Sequence, residues 1–331
     1  MKLKEKLKQN KYLRKKVKNY KIKREMNLDY KQFKNNYQEN CNTKEHLEYS
    51  IMLLVHSLEK GMCHENMRPF GFEKISSLIK KMQEYEKYDK EFQSTASKMG
   101  ISIINNWLLL FDKQNWEKTT TYNDAKEYIN KIKNIEVKLV DVGFKELNNP
   151  TSNKYNNFDY LDAVKTRHSV RNFNKKKLER KDIEYCIKSA ILSPSACNRQ
   201  MIKIYYIADE RKKKELEKLI MGLSGFNKEN VNLFVITFDI SAFTFYGERN
   251  QGYLNAGLFS MNLVNAMHFR GIGSCFLQWG NTNREETKIK QLLSIPKNER
   301  IAIVIGAGYY TDKNLIAKSA RKKIEEIYTK I

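Results

Sequence analysis

Cysteine, proline and histidine are scarce in this chain, and each scarcity removes a class of protein. The five cysteines, Cys41, Cys63, Cys186, Cys197 and Cys275, stand far apart with no C-x-x-C pair. They make neither the even, dense set of a secreted disulfide scaffold nor the paired ligands of a structural zinc site. His56, Cys63 and His64, with Cys41 and His46 upstream, fit no metal-ligand template, so no metal is expected and reduced thiols are. Long apolar runs are missing too. The longest span 51–55, 107–111 and 301–307, far short of the roughly 20 residues that cross a bilayer. The lysine-rich N-terminus lacks the apolar stretch and cleavage site of a signal peptide, so a soluble, cytoplasmic protein is expected. No G-x-G-x-x-G, Walker loop, H-E-x-x-H or G-x-S-x-G occurs, and no histidine pairs with a nucleophile. An enzyme built from this sequence would leave its reaction to a bound cofactor.

What is abundant is positive charge. The 331 residues carry a formal charge of +23. Residues 1–40 hold 14 Lys and Arg against 4 Asp and Glu, a net of +10, which leaves +13 for the other residues. Such an excess fits either a contact with an anionic surface or a solvated tail in a Lys-, Asn- and Ile-rich composition. Weak contact of residues 1–40 with an anionic membrane surface is kept as a reading, and nucleic acid is not expected as a partner.

At roughly 150 residues per domain, the length suggests two domains after the arm. Residues 1–40 form the basic arm, with Leu3, Leu7, Leu13, Val17 and Tyr20 at a loose helical spacing. Residues 41–150 read as a helical extension, because apolar residues recur at helical spacing and Gly and Pro are few. Pro69 and Gly71 mark a turn in it, a short apolar stretch spans 137–144, and the polar run 148–153 is the best boundary in the chain. Residues 158–331 alternate helices and strands. Helices are expected after Asp159 and near 181–192, 209–222, 251–270 and 284–294, with strands near 202–207, 233–238, 274–277 and 301–307. The helix near 251–270 is apolar or small nearly all round, which suggests a core helix or a subunit interface.

Three clusters suit a phosphorylated, planar ligand. Arg167-His168-Ser169-Val170-Arg171 offers two guanidinium forks and a hydroxyl to one anion, or is simply a basic helix C-terminus. Ser193-Pro194-Ser195-Ala196-Cys197-Asn198-Arg199-Gln200 is either a loop that reads the polar edge of a heterocycle or an ordinary polar turn. Ser319-Ala320-Arg321-Lys322-Lys323 is a further anion clamp or plain tail charge.

In this order, with Gly271-Ile272-Gly273-Ser274-Cys275-Phe276-Leu277-Gln278 between the second and the third, the clusters resemble the FMN-dependent nitroreductase family. The resemblance covers about residues 158–331. It implies an α+β fold, a mixed sheet flanked by helices, here preceded by a mainly helical N-terminal region. It also implies an intertwined homodimer with FMN at the interface. Arg167, Ser169, Arg321 and Lys323 match the phosphate side, with His168 in the same cluster. Arg171 matches the cation near flavin N1 and O2. Pro194, Ser195, Asn198 and Gln200 match the loop reaching the FMN of the opposite subunit, and Gln278 and Trp279 fall near the flavin N5 and O4 edge.

The implied activity is hydride transfer from NAD(P)H through flavin N5 to a small-molecule electron acceptor in a ping-pong cycle, with no catalytic side chain. Two departures stand out: Gln200-Met201-Ile202 replaces the family's frequent Gln-Pro-Trp, and the substrate-channel insertion near 222–229 is short. The stretch His56 to Gly71 looks like a helical extension found on some bacterial nitroreductase-like proteins, in which Glu59 and Lys60 line the flavin cleft or form an exposed ion pair. The alternative function is a flavin-binding or flavin-free scaffold that docks on membrane or nucleic acid through the arm.

Overall fold

The computed structural model describes residues 11–36, 43–62, 68–144, 160–223, 226–244, 246–312, 314, 316 and 324–331. Cys41, Cys63, His64, the 148–153 boundary, Asp159, Arg321 and Lys323 lie outside the described residues. Among the described residues no helix is long and apolar enough to cross a membrane, and no three His, Cys, Asp or Glu side chains gather to hold a metal ion.

The basic arm contains one long helix, α1 (Lys11–Asn36), free of Gly and Pro and rich in good helix formers. Its two carboxylates dock it. Glu25 accepts hydrogen bonds from the Asn283 backbone N–H (2.9 Å) and side-chain amide (2.8 Å), at the start of a later helix. These hydrogen bonds, the backbone one foremost, hold the Glu25 carboxyl below the usual glutamate range. Asp29 pairs with Arg300 at 2.8 Å, and Phe33 stacks on Phe243.

Four helices follow: α2 (Lys44–Met62), α3 (Phe72–Tyr85), α4 (Thr95–Lys113) and α5 (Thr120–Lys131). Ser94 and Thr119 cap α4 and α5 by accepting from the backbone N–H of Ser97 and Tyr122. In α2 the buried Leu47, Ile51, Val55, Leu58 and Met62 fall every three or four residues, the stripe a packed helix needs. Trp107 is fully buried, donates to the Phe70 carbonyl (2.9 Å) and lies 4.1 Å from Phe111, ring centre to ring centre. Gly71 (φ +82°) turns the chain there, where a Cβ would fall 2.8 Å from Leu58. The 137–144 stretch forms no regular element. Ser102 accepts from Val140 N, and Asn106 donates to the Val142 carbonyl.

The C-terminal half is mixed α and β. It contains α6 (Tyr160–Thr166), α7 (Arg180–Ile191), β1 (Ile202–Tyr206), α8 (Glu210–Leu219), β2 (Asn232–Asp239), α9 (Gln251–Phe269), β3 (Ile272–Phe276), α10 (Asn283–Leu293) and β4 (Glu299–Tyr309). The strands pair antiparallel in the order β1-β2-β4-β3. Among the described residues, the parallel component of the expected mixed sheet is one isolated bridge, Ser169 with Ser274. Phe234 and Ile236 of β2 pack toward α7 and α9, whereas Leu233 and Val235 pack toward α8 and α10. Alternate residues therefore serve opposite faces, and both faces are covered.

The helical region and the sheet share one core. Met201, Phe238, Ile240, Ala242 and Phe243 belong to the same apolar cluster as α2–α5. Helix α9 departs from the expectation of burial all round. Ala256, Phe259, Leu263 and Met267 are buried, but Tyr253, Leu254, Leu258, Met261 and Phe269 are exposed.

Candidate functional site

Residues 167–171 follow the end of α6 directly, with Arg167 just past its last residue, and Ser169 bridges to β3. Val170 N donates to the Ser274 carbonyl at 3.0 Å, and Asn174 N to that of Tyr309 at 2.9 Å. Two glycines let this segment lie close. A Cβ on Gly273 would meet Val170 at 3.1 Å, and one on Gly308 would meet Phe173 at 2.6 Å. The Gly306-Ala307-Gly308 run thus serves packing. Val170 is buried while Ser169 and Arg171 are exposed, the alternation expected at a bridge.

Arg167 and His168 are half-buried. The Arg167 Nε is buried with no hydrogen-bond acceptor among the described residues. His268 stands beside it. Its Nε2 lies 3.0 Å from Thr166 Oγ1 and its Nδ1 2.9 Å from the Tyr310 hydroxyl. Burial, then the charges of Arg167 and His168, hold the His268 pKa below the usual histidine value.

The second cluster is a tightly constrained loop. Ala196–Asn198 form one short 3-10 turn, and Cys197, Asn198 and Gln200 all have φ near +50°. For a residue with a Cβ that conformation costs roughly 1–2 kcal/mol, so the surroundings must impose it. The Gln200 N–H donates to Ser195 Oγ at 3.0 Å and the Asn198 N–H to the Ser195 carbonyl at 2.9 Å. Arg199 is only 1% exposed. Its Nε donates to the Ala196 carbonyl (2.9 Å), its Nη1 to the Ala242 carbonyl (2.6 Å), and the guanidinium forms a forked ion pair with Glu248. Burial pushes the Glu248 carboxyl up, but Arg199 and Thr244 outweigh it and hold the pKa below the usual glutamate range.

This loop opens on a cavity of about 230 Å³ lined by Pro194, Ser195, Gln200, Ile202, Asn255 and Phe259 among others. Arg167, Arg171, Gln278 and Trp279 do not line it. Gln278 is exposed and Trp279 half-buried on the segment after β3. There Gly222 (φ +87°) approaches so closely that a Cβ would fall 2.7 Å from the Gln278 nitrogen. Met201, at the departure from Gln-Pro-Trp, is buried with its sulfur 3.1 Å from the Asn255 amide.

One chain therefore keeps the two groups apart. Asn255 and Phe259 face the cavity from one end of α9, and His268 meets the Arg167 segment at the other. At a rise of about 1.5 Å per residue, Asn255 and His268 are about 20 Å apart along the axis. Glu59 accepts from Gly143 N (3.2 Å) and lies 3.3 Å from His56, so it ties α2 to the 140–144 segment. Arg199 had no role assigned from sequence, and Glu248 and His268 carried no motif.

The lowered His268 pKa has a signed consequence. The folded chain resists protonation, so the contribution to stability is full above the ordinary value of about 6.5 and is lost as pH falls from there toward the folded value. The thermal midpoint is expected to fall between pH 7 and 5, and His268→Gln should flatten that slope. An equal slope in both proteins would refute the assignment.

Comparison with known proteins places the match where the site lies. Residues 164–309 match the model of the Nitroreductase family. A curated relative from Archaeoglobus fulgidus, assigned by name to the NADH dehydrogenase/NAD(P)H nitroreductases, is 28% identical over 46% of this chain and 86% of its own length. A nitroreductase family protein from Streptococcus pneumoniae TIGR4 is 25% identical, with a TM-score of 0.45 over 52% of this chain and all of its own. An FMN-dependent nitroreductase from Clostridium difficile R20291 is 19% identical, with a TM-score of 0.43 over 51% of this chain and 98% of its own. Residues 164–309 of this chain are thus similar to the Nitroreductase family.

Proposed function

We propose that this chain is an FMN-dependent oxidoreductase that takes hydride from NAD(P)H and passes it to a small-molecule acceptor. The observation that carries the reading is the buried, unpartnered Arg167 Nε beside the exposed Ser169, within the family match. A guanidinium donor and a hydroxyl on one edge fit a phosphate, and Arg321 and Lys323 are proposed to add to that clamp. FMN, when bound, supplies the two-electron chemistry that no side chain here supplies.

The chain's own residues bind and orient. Arg171 holds a positive charge where negative charge develops, which favours the electron-rich form. Ser195, Asn198 and Gln200 present hydroxyl and amide groups to the ring edge, and Gln278 and Trp279 border the face where NAD(P)H and the acceptor bind in turn. The purified protein is expected to bind FMN and to lose its visible absorbance when reduced nicotinamide is added without oxygen. Arg167→Ala should weaken FMN binding roughly 10- to 100-fold, the loss of one charged hydrogen bond. A wild-type protein that neither carries nor takes up FMN refutes the reading.

A homodimer completes the proposed site. The exposed Leu254, Leu258 and Met261 form an apolar stripe on α9, of the kind that marks an interface. Two copies pairing α9 antiparallel about a two-fold axis bring the 195–200 loop of one toward the Arg167 segment of the other. Leu258→Arg is expected to halve the mass measured by light scattering and to abolish FMN binding, and an unchanged dimer would rule this face out.

The arm is proposed to make weak contact with an anionic membrane surface. Residues 11–24 carry eight Lys and Arg and no Asp or Glu. Co-sedimentation with phosphatidylserine vesicles should fall steeply with salt and disappear in a Lys15→Glu, Lys18→Glu, Lys21→Glu variant. Binding indifferent to both would discount it.

A further inference from the structure

We infer that the buried Arg199–Glu248 pair is a positioning device that holds the 195–200 loop in its left-handed conformation, with the helical extension as its rear wall. The inference deepens the proposed function, because this loop is the one proposed to read the cofactor.

Three observations carry it. The guanidinium is spent wholly on the loop and on the chain behind it, with Nε on Ala196, Nη1 on Ala242 and a fork on Glu248. Glu248 is in turn fixed by the Thr244 backbone N–H (2.7 Å) and hydroxyl (3.0 Å). The Nη1 bond and the fork therefore join the loop to residues 242–248, while the Ala196 and Thr244 bonds tighten either side. The wall behind is rigid: α2 packs against both the 196–198 and 240–242 turns. Asp239 closes the second turn by accepting from Ser241 N and from the Asn298 amide, and Tyr49 of α2 donates to the same carboxylate at 3.4 Å.

Residues with a Cβ held at positive φ, here Cys197, Asn198 and Gln200, relax when their restraints go. Removing one partner of a buried pair leaves the other charge without compensation, so the loop end that carries Arg199 must swing toward water. Cys197, half-buried and the first of these positive-φ residues, is a built-in reporter, and the buried Cys186 and Cys275 are internal controls.

The test uses the full chain with Glu248→Gln and, independently, Arg199→Met. Peptide mapping follows alkylation of Cys197, and hydrogen exchange follows the amides of 195–200 and of β2. In both variants Cys197 labelling and loop exchange are expected to rise about tenfold or more, with β2, Cys186 and Cys275 unchanged. FMN affinity should fall by a similar factor in the milder Glu248→Gln, while its thermal midpoint stays within a few degrees. Unchanged loop exchange and labelling, or an equal rise across β2 and all three thiols, would overturn the inference. Wild-type protein that takes up no FMN would remove the function proposed above, while alkylation and exchange would still decide whether the pair holds the loop.

Discussion

A guanidinium taken out of water must find acceptors for its N–H groups and a negative charge nearby, and Arg199 meets both needs at one spot. The arrangement around it follows from that demand. The Ala196 and Ala242 carbonyls, at opposite ends of two tight turns, are drawn to within hydrogen-bond distance of one side chain. The backbone between Ser195 and Gln200 adopts the conformation those distances permit, although three of its residues take positive φ and none is glycine. The cavity beside the loop owes its polar rim to this arrangement, and its apolar floor of Phe259 and Ile202 to the sheet and α9.

Much of the fold was legible from residue spacing. The runs at 202–207, 233–238, 274–277 and 301–307 became strands with ends shifted by one to a few residues, and the helices near 209–222, 251–270 and 284–294 formed with similar shifts. Alternation is no guide in β2, where both faces are covered and the apolar run is nearly continuous. The apolar circumference of α9 was legible as well, but composition cannot tell a buried face from one left for another surface. The stretch at 137–144 was apolar because Val137, Val140 and Val142 lean on the helical core, though no strand pairs with it among the described residues.

The candidate site was legible as residue types and hidden as geometry. The Arg167–Arg171 cluster stood out for charge, yet its place beside Ser274 depends on Gly273 and Gly308, a hundred or more residues away. Arg199 lay inside a cluster noticed for its small residues, but its partner Glu248 is distant in sequence. Positive φ at Cys197, Asn198 and Gln200 leaves no trace in composition, since no glycine advertises it. His268 reads as an ordinary residue of an apolar helix until folding sets it beside Thr166 and Tyr310.

The apolar cluster that joins Phe238, Ile240 and Phe243 to α2–α5 bears on how the molecule can be dissected. A fragment cut at the polar stretch near residue 150 would keep the matched region yet bare this aromatic seam to solvent. Such a fragment would be prone to self-association, and the buttress under its ligand loop would be gone. Shortening the chain to the matched half would therefore yield a poorer protein than the whole.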